Sequence, residues 1–286
     1  MLQFFEWLWR TIGMSAAYRT ALESAGAQLE QEVSFQGFLK YWQVLLAVDG
    51  HPSGALWVFL GGILLLIVAS YLLGSLNGAI IVSRYVFHDD IREHGSGNAG
   101  LTNMGRVFGK KGVWPTLAID VAKQFLSVVL GIVLLGETGA YLAGLFCMVG
   151  HIAPIFFRFK GGKGVLTAGV MILLIDYQVF LIDFALFAVI VLISRYVSLG
   201  SVIAGFALPG IVYASARIRG TVPSFFALFF AVLIGLMLIL MHRENIRRLY
   251  QGKENKLNLF GKKKGKKKKK ETADADPGGD GGSAEE

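Results

Sequence analysis

The chain has 286 residues, 54% of them hydrophobic, with a mean hydropathy of +0.55 and only 17% charged. An ordinary soluble domain averages about 45–50% apolar and about 25% charged, so that class is excluded, and a single cysteine, Cys147, excludes an intramolecular disulfide. The net charge of +8, from 28 Lys and Arg against 20 Asp and Glu, falls mostly between apolar stretches, which points to membrane topology and gives no reason to expect a nucleic-acid partner.

Residues 1–55 carry three basic and five acidic side chains, and Trp7, Trp9 and Trp42 predict an N-terminal extension with interfacial character. MLQFFEWLWR opens on aromatics and Glu6 where a signal peptide has a basic stretch, so no cleavable signal is expected. From Leu56 the chain shows seven apolar segments, 56–83, 113–135, 139–157, 164–176, 178–194, 200–216 and 222–241. A bilayer core takes about 20 mostly apolar residues in helix. The predicted fold is an all-α polytopic membrane protein of about seven transmembrane helices, its membrane domain covering 56–256. The fourth segment, VLTAGVMILLID, is short, and is expected to be tilted, re-entrant or buried in the bundle. Residues 257–286 form a Lys-rich, then acidic tail whose low complexity predicts disorder.

Basic residues set the orientation. The linker 84–112 holds Arg84, Arg92, Arg106, Lys110 and Lys111, while GETG at 136–139 holds none. Arg158, Lys160 and Lys163 fall in the next loop, none in DYQ at 176–178, Arg195 in the following one, and thirteen Lys and Arg come after His242. Alternation places these loops and the C-terminus in the cytoplasm, with Arg217 and Arg219 as exceptions outside. The expected location is a membrane, crossed several times.

The basic loops share a composition. GSGNAGLTNMGR (95–106), FKGGKG (159–164) and SRYVSLGS (194–201) set glycine and small polar residues beside Arg or Lys, and HRENIRR (242–248) sets Asn245 among arginines. Glycine lets backbone N–H groups close around an anion, and Asn98, Thr102 and Asn103 add side-chain donors. Arg offers a planar fork to phosphate and Lys a point charge. Singly, each loop is equally a turn or helix cap. Their recurrence on one side points to phosphate binding.

Gly95 to Gly100 also fits the dinucleotide pattern G-x-G-x-x-G, and Asp120 lies 20 positions after Gly100. HDDIREH before it is no buried strand, and Asp120 falls inside the next apolar segment, so dinucleotide binding is rejected. Two non-enzymatic classes fit the composition: a membrane transporter for an anionic solute and a lipid-binding protein. A carrier places charges near the midplane, where only Asp120, Lys123 and Asp183 qualify, and neither class requires four such loops.

YLLGSLNGAIIVSRY, GSGNAGLTNMGRVFGKKG, GHIAPIFFRFKGGKGV, SRYVSLGSVIAGFALP and HRENIRRLYQGKENK resemble, in order and spacing, the bacterial membrane acyl-phosphate:glycerol-3-phosphate acyltransferases (PlsY). Ala99, Leu101 and Leu166 depart from that family's usual residues. The resemblance implies a seven-helix enzyme that moves a fatty acyl group from acyl phosphate to the sn-1 hydroxyl of glycerol 3-phosphate, giving lysophosphatidic acid, with no cofactor and no metal. It implies catalytic roles for Ser96, Arg106, Lys160 or Lys163, Ser198 or Ser201, His242 and Asn245. It implies substrate binding by Gly95, Gly97, Asn98, Gly100, Thr102, Asn103, Gly161, Gly162 and Glu244. The base is then either His242 or a substrate phosphate. No His is followed by Asp five positions on, the pattern of the acyl-CoA and acyl-carrier glycerolipid acyltransferases.

Overall fold

The computed structural model describes residues 52–257, so the expectations for the N-terminal extension and the Lys-rich tail fall outside the described residues apart from a few at their edges. Nine α-helices lie within that range: α1 Pro52–Ser75, α2 Gly78–Val86, α3 Leu101–Val107, α4 Gly109–Ile152, α5 Val165–Ile175, α6 Tyr177–Ser194, α7 Val197–Ile218, α8 Phe225–Met241 and α9 Arg243–Tyr250. Single 3-10 turns at Ile91–Glu93 and Ile155–Phe157 precede the two glycine loops.

α4 is two antiparallel arms. Helical dihedrals fail at Leu135 and at Gly136, whose φ of 61° reverses the chain where GETG predicts a linker. A Cβ on Gly131 would meet the carbonyl of Gly139, eight residues on, a contact that a straight helix rising about 1.5 Å per residue cannot make. The arms are tied lower down, where Gln124 Nε2 donates to Gly144 O at 3.1 Å. Small residues let the second arm lie close on α1, as expected where lipid offers no hydrophobic drive for helix association.

Each of the seven apolar segments lies largely within a helix, the 56–83 segment also running into α2, but the count of about seven crossings does not follow from length and composition. Four described helical stretches pass that test: Leu56–Ser75, Gly109–Phe157, Tyr177–Ser194 and Val197–Ile218. A fifth passes if α8 and α9, bent by 55°, form one span. The difference has two physical sources. The 49-residue stretch contains the hairpin, and the 11 residues of α5 rise only about 16 Å, half a bilayer core.

The inner packing joins Tyr141 and Met148 of the second arm, Met171 of α5, Leu208 of α7, and Phe230 and Ile234 of α8, with the Tyr141 and Phe230 rings stacked at 5.3 Å. A second cluster, Ile80, Ile91, Ala99 and Met104, sits under the first glycine loop. Outward-facing Leu64, Leu65, Leu192, Ile193 and Phe206 are exposed, as lipid-facing residues are. At the end of the bundle away from the glycine loops, Arg219 pairs with Asp176 at 2.8 Å and reaches Gln178 at 2.9 Å. This exception to the charge alternation is therefore an ion-paired side chain.

Candidate active site

The first glycine loop is wound around Asn103. This side chain, 1% exposed, brings Nδ2 to the carbonyls of Ile91, His94 and Asn98 at 3.2, 2.9 and 3.1 Å, while its Oδ1 accepts from Ser96 N at 3.0 Å. Gly95 and Gly97 take φ of 62° and 71°, the left-handed region that glycine enters without cost. A Cβ on Gly95 would meet Asn103 Oδ1. The amides of Gly97 and Gly100 donate to His94 O and Asn98 O, both at 3.0 Å. Three amides that the sequence offers to an anion, those of Ser96, Gly97 and Gly100, thus hold the loop together. What the loop presents outward is the exposed side chains of Ser96, Thr102 and Arg106, with Asn98 half-buried.

The second loop is fastened to the first by Arg92. Its Nη1 donates to Phe157 O at 2.9 Å and Lys160 O at 3.2 Å, while Nε and Nη2 grip the Asp90 carboxylate at 2.7–3.2 Å. The Arg92 guanidinium is the main reason that the Asp90 carboxyl lies below its ordinary range. Gly161 N and Gly162 N donate to Ile152 O and His151 O at 3.0 Å, so the loop folds back over the end of α4. Of its two lysines, Lys160 is exposed and contributes its carbonyl, whereas Lys163 is half-buried and donates to Asn245 Oδ1. Burial, reinforced by the charges of Arg248 and Arg106 and opposed by Glu254, pushes the Lys163 ammonium down to about 8.

The third and fourth loops meet over Lys163. Glu254 accepts from Ser198 Oγ at 3.0 Å, Asn245 Nδ2 at 2.7 Å and Arg248 Nε at 2.8 Å. Burial raises its carboxyl, but these three donors outweigh it and leave the group below the ordinary value. Leu257 N closes the segment onto Arg195 O at 2.7 Å. His242 is buried with Nδ1 2.7 Å from Leu238 O; a carbonyl only accepts, so Nδ1 carries the proton and Nε2 is the basic nitrogen. Ser201, 1% exposed, turns its hydroxyl back to Val197 O at 2.9 Å. Glu244 lies exposed on α9.

The fold therefore gathers Arg106, Lys163, His242 and Asn245, distant in sequence, at one end of the bundle, with Ser198 tied in through Glu254. Ser96 and Thr102 sit on the first loop, and Gly161 and Gly162 on the second, which Arg92 joins to it. Lys160 and Glu244 are not drawn into the cluster by any described contact. Arg92, Asp90 and Glu254 are the residues that sequence reasoning passed over. The signal for Glu254 was its place in KENK, a few residues past HRENIRR; Arg92 had none beyond lying in the acidic stretch between Asp90 and Glu93.

A family model described as "Glycerol-3-phosphate acyltransferase" matches residues 64–252. The glycerol-3-phosphate acyltransferase of Finegoldia magna is 40% identical over 196 residues, 68% of this chain and 96% of the relative. That of Exiguobacterium sibiricum is 40% identical over 201 residues, 70% and 95% of the two chains. The crystal structure of PlsY (YgiH), an integral membrane glycerol 3-phosphate acyltransferase, in its glycerol 3-phosphate form superposes with a TM-score of 0.63 at 34% identity, covering 68% of this chain and 96% of that one. Its lysophosphatidic acid form gives 0.61 at 33% identity, covering 68% and 95%. On this combined match of sequence and fold, the chain belongs to the glycerol-3-phosphate acyltransferase family.

Proposed function

We propose that this membrane acyltransferase moves a fatty acyl group from acyl phosphate to the sn-1 hydroxyl of glycerol 3-phosphate, releasing phosphate and 1-acyl-glycerol 3-phosphate. The observation that carries the reading is the convergence of Arg106 and Lys163 with His242 and Asn245, whose Oδ1 accepts from Lys163, at one end of an apolar bundle. Two phosphorylated substrates need cations to offset their mutual repulsion, and one of them needs access from lipid. Arg106 and Lys163 hold the glycerol 3-phosphate phosphate, and Ser96 with its loop faces the phosphate of the donor.

The chemistry asks little else of the protein. Acyl phosphate is a mixed anhydride, so the acyl carbon is already activated. The glycerol hydroxyl oxygen bonds to that carbon, the acyl carbon–oxygen bond to phosphate breaks, and phosphate leaves with the electron pair. The hydroxyl proton goes either to the departing phosphate or to Nε2 of His242. Rate enhancement then comes chiefly from bringing two anions into contact and stabilising the charge that develops. Cys147, the single thiol, lies buried in α4, far in kind from an acyl-enzyme nucleophile. The basic loops face the cytoplasm, as the charge alternation supports, in a bacterial inner membrane.

The test is turnover by purified protein given palmitoyl phosphate and glycerol 3-phosphate, following phosphate release and the lysophospholipid by mass spectrometry. Stoichiometric appearance of both supports the reading. A transporter or lipid-binding protein would bind the substrates without forming either product.

A further inference from the structure

Beneath the two glycine loops lies a buried polar network that the chemistry above does not use. Asp120 and Lys123, 1% and 4% exposed, pair at 2.8 Å on the first arm of α4. Asp120 Oδ1 also accepts from Gly78 N at 3.1 Å. Lys123 Nζ reaches the carbonyls of Gly74 and Leu76 at 3.0 and 3.1 Å, capping the break between α1 and α2. It also lies 2.9 Å from Nδ1 of His151, on the second arm. An ammonium only donates, so Nδ1 is the accepting nitrogen and the ring's proton sits on Nε2.

This arrangement fixes the ring where the loops meet. A Cβ on Gly162 would strike His151 Nε2 and come within 2.7 Å of Ala99 O, so ring, first loop and second loop touch at one point. His151 O takes the amide of Gly162, and Asn77 Nδ2 reaches Ala99 O at 3.3 Å and His151 O at 3.4 Å. Stability alone does not account for the ion pair, since apolar residues of similar size commonly serve a buried site as well or better. Its distinctive product is the orientation of one ring under both loops.

We propose that Asp120, Lys123 and His151 are positioning residues of the acyl-transfer site, setting the separation of the two glycine loops through the His151 ring. The proposal rests on the acyl-transfer reading above. The experiment measures glycerol 3-phosphate KM, kcat and thermal midpoint in detergent for wild type, His151→Gln, His151→Asn and the double variant Asp120→Asn/Lys123→Met. The double variant removes both charges together, so neither is left buried alone. Gln places its amide near the position of Nε2, where the loops meet the ring, whereas Asn ends near Nδ1 and leaves that space empty. Displacing reacting groups by about 1 Å costs roughly 100-fold. The expected result is a rise of about 10- to 100-fold in KM, with reduced kcat, for His151→Asn and the double variant, while His151→Gln stays within about threefold of wild type. Thermal midpoints close to wild type, with those kinetic changes, complete the expected pattern. KM and kcat within about twofold of wild type in the folded double variant would overturn it. So would losses that track only the folded fraction, with KM unchanged. If the double variant fails to fold, equal kinetic constants for the Gln and Asn variants overturn the proposal, and the expected split between them supports it. No turnover by wild type would instead remove the acyl-transfer reading, and this role with it.

Discussion

Removing the Arg92 clamp tests how the site is built. In the folded protein one guanidinium spans the Asp90 carboxylate on one side and two carbonyls of the second loop on the other. Arg92→Ala deletes the only described side-chain bridge from that loop to the first. A hydrogen bond from a charged donor contributes about 1.5–3 kcal/mol. The contact to Phe157 O at 2.9 Å counts near that range, and the exposed one to Lys160 O at 3.2 Å counts for little. A loss of about 2–3 kcal/mol in loop ordering corresponds to roughly 30- to 150-fold at about 1.4 kcal/mol per decade. That is a ceiling, because the Gly161 and Gly162 amides still tether the loop to the end of α4. A site populated only part of the time binds more weakly in proportion, so the expected rise in glycerol 3-phosphate KM is about 10- to 50-fold. Arg92→Lys should recover only part of it, since an ammonium can pair with Asp90 without spanning both carbonyls. The assay is steady-state kinetics beside a thermal melt in the same detergent. A folded Arg92→Ala enzyme with KM within about twofold of wild type would refute the clamp.

Two further outcomes follow from the same geometry. Burial holds the Lys163 ammonium at about 8, and the proposed role in holding phosphate requires it charged, so kcat/KM for glycerol 3-phosphate should be level below that value and fall as pH rises through it; Lys163→Arg should move the fall beyond the measured range, and an unshifted profile in that variant would assign the titration elsewhere. Gly95→Ala should damage activity more than Gly97→Ala, since both are at positive φ but a Cβ on Gly95 strikes Asn103 Oδ1 while one on Gly97 meets only Arg92 O at 3.4 Å; kinetic constants in the reverse order would mean that Asn103 is not the post of the loop.

Much of the helical framework was legible because apolar length and basic punctuation are local signals. The seven segments and the four basic loops could be read directly, and even the reversal at Gly136 follows from a charge-poor glycine linker. Counting crossings was harder, because α5 has a crossing helix's composition without its length. Within the site, the glycines and cations were visible but their division of labour was not. Asn103 reads as a phosphate donor in sequence, yet its four contacts are all to loop backbone. Lys160 and Lys163 are equivalent in FKGGKG, and only the fold turns the second toward Asn245. Asp120 and Lys123 read as isolated intramembrane charges until the hairpin brings His151 beside them. In each case the missing information was a partner more than twenty residues away or a backbone turn that the side chain serves.

The central claim concerns the donor, and a direct comparison of donors tests it. In the proposed function, Arg106, Lys163 and the Ser96 loop form a site matched to a small phosphate dianion. An acyl thioester puts sulfur and a bulky pantetheine there and leaves side-chain donors unpaired, at about 1–3 kcal/mol each. Two such losses correspond to roughly 30- to 10⁴-fold in kcat/KM at about 1.4 kcal/mol per decade. The decisive measurement is therefore lysophosphatidic acid formation by one purified preparation given glycerol 3-phosphate with palmitoyl phosphate or with palmitoyl-CoA. Robust turnover with the phosphate and almost none with the thioester is the predicted result; comparable rates with both donors would contradict the account.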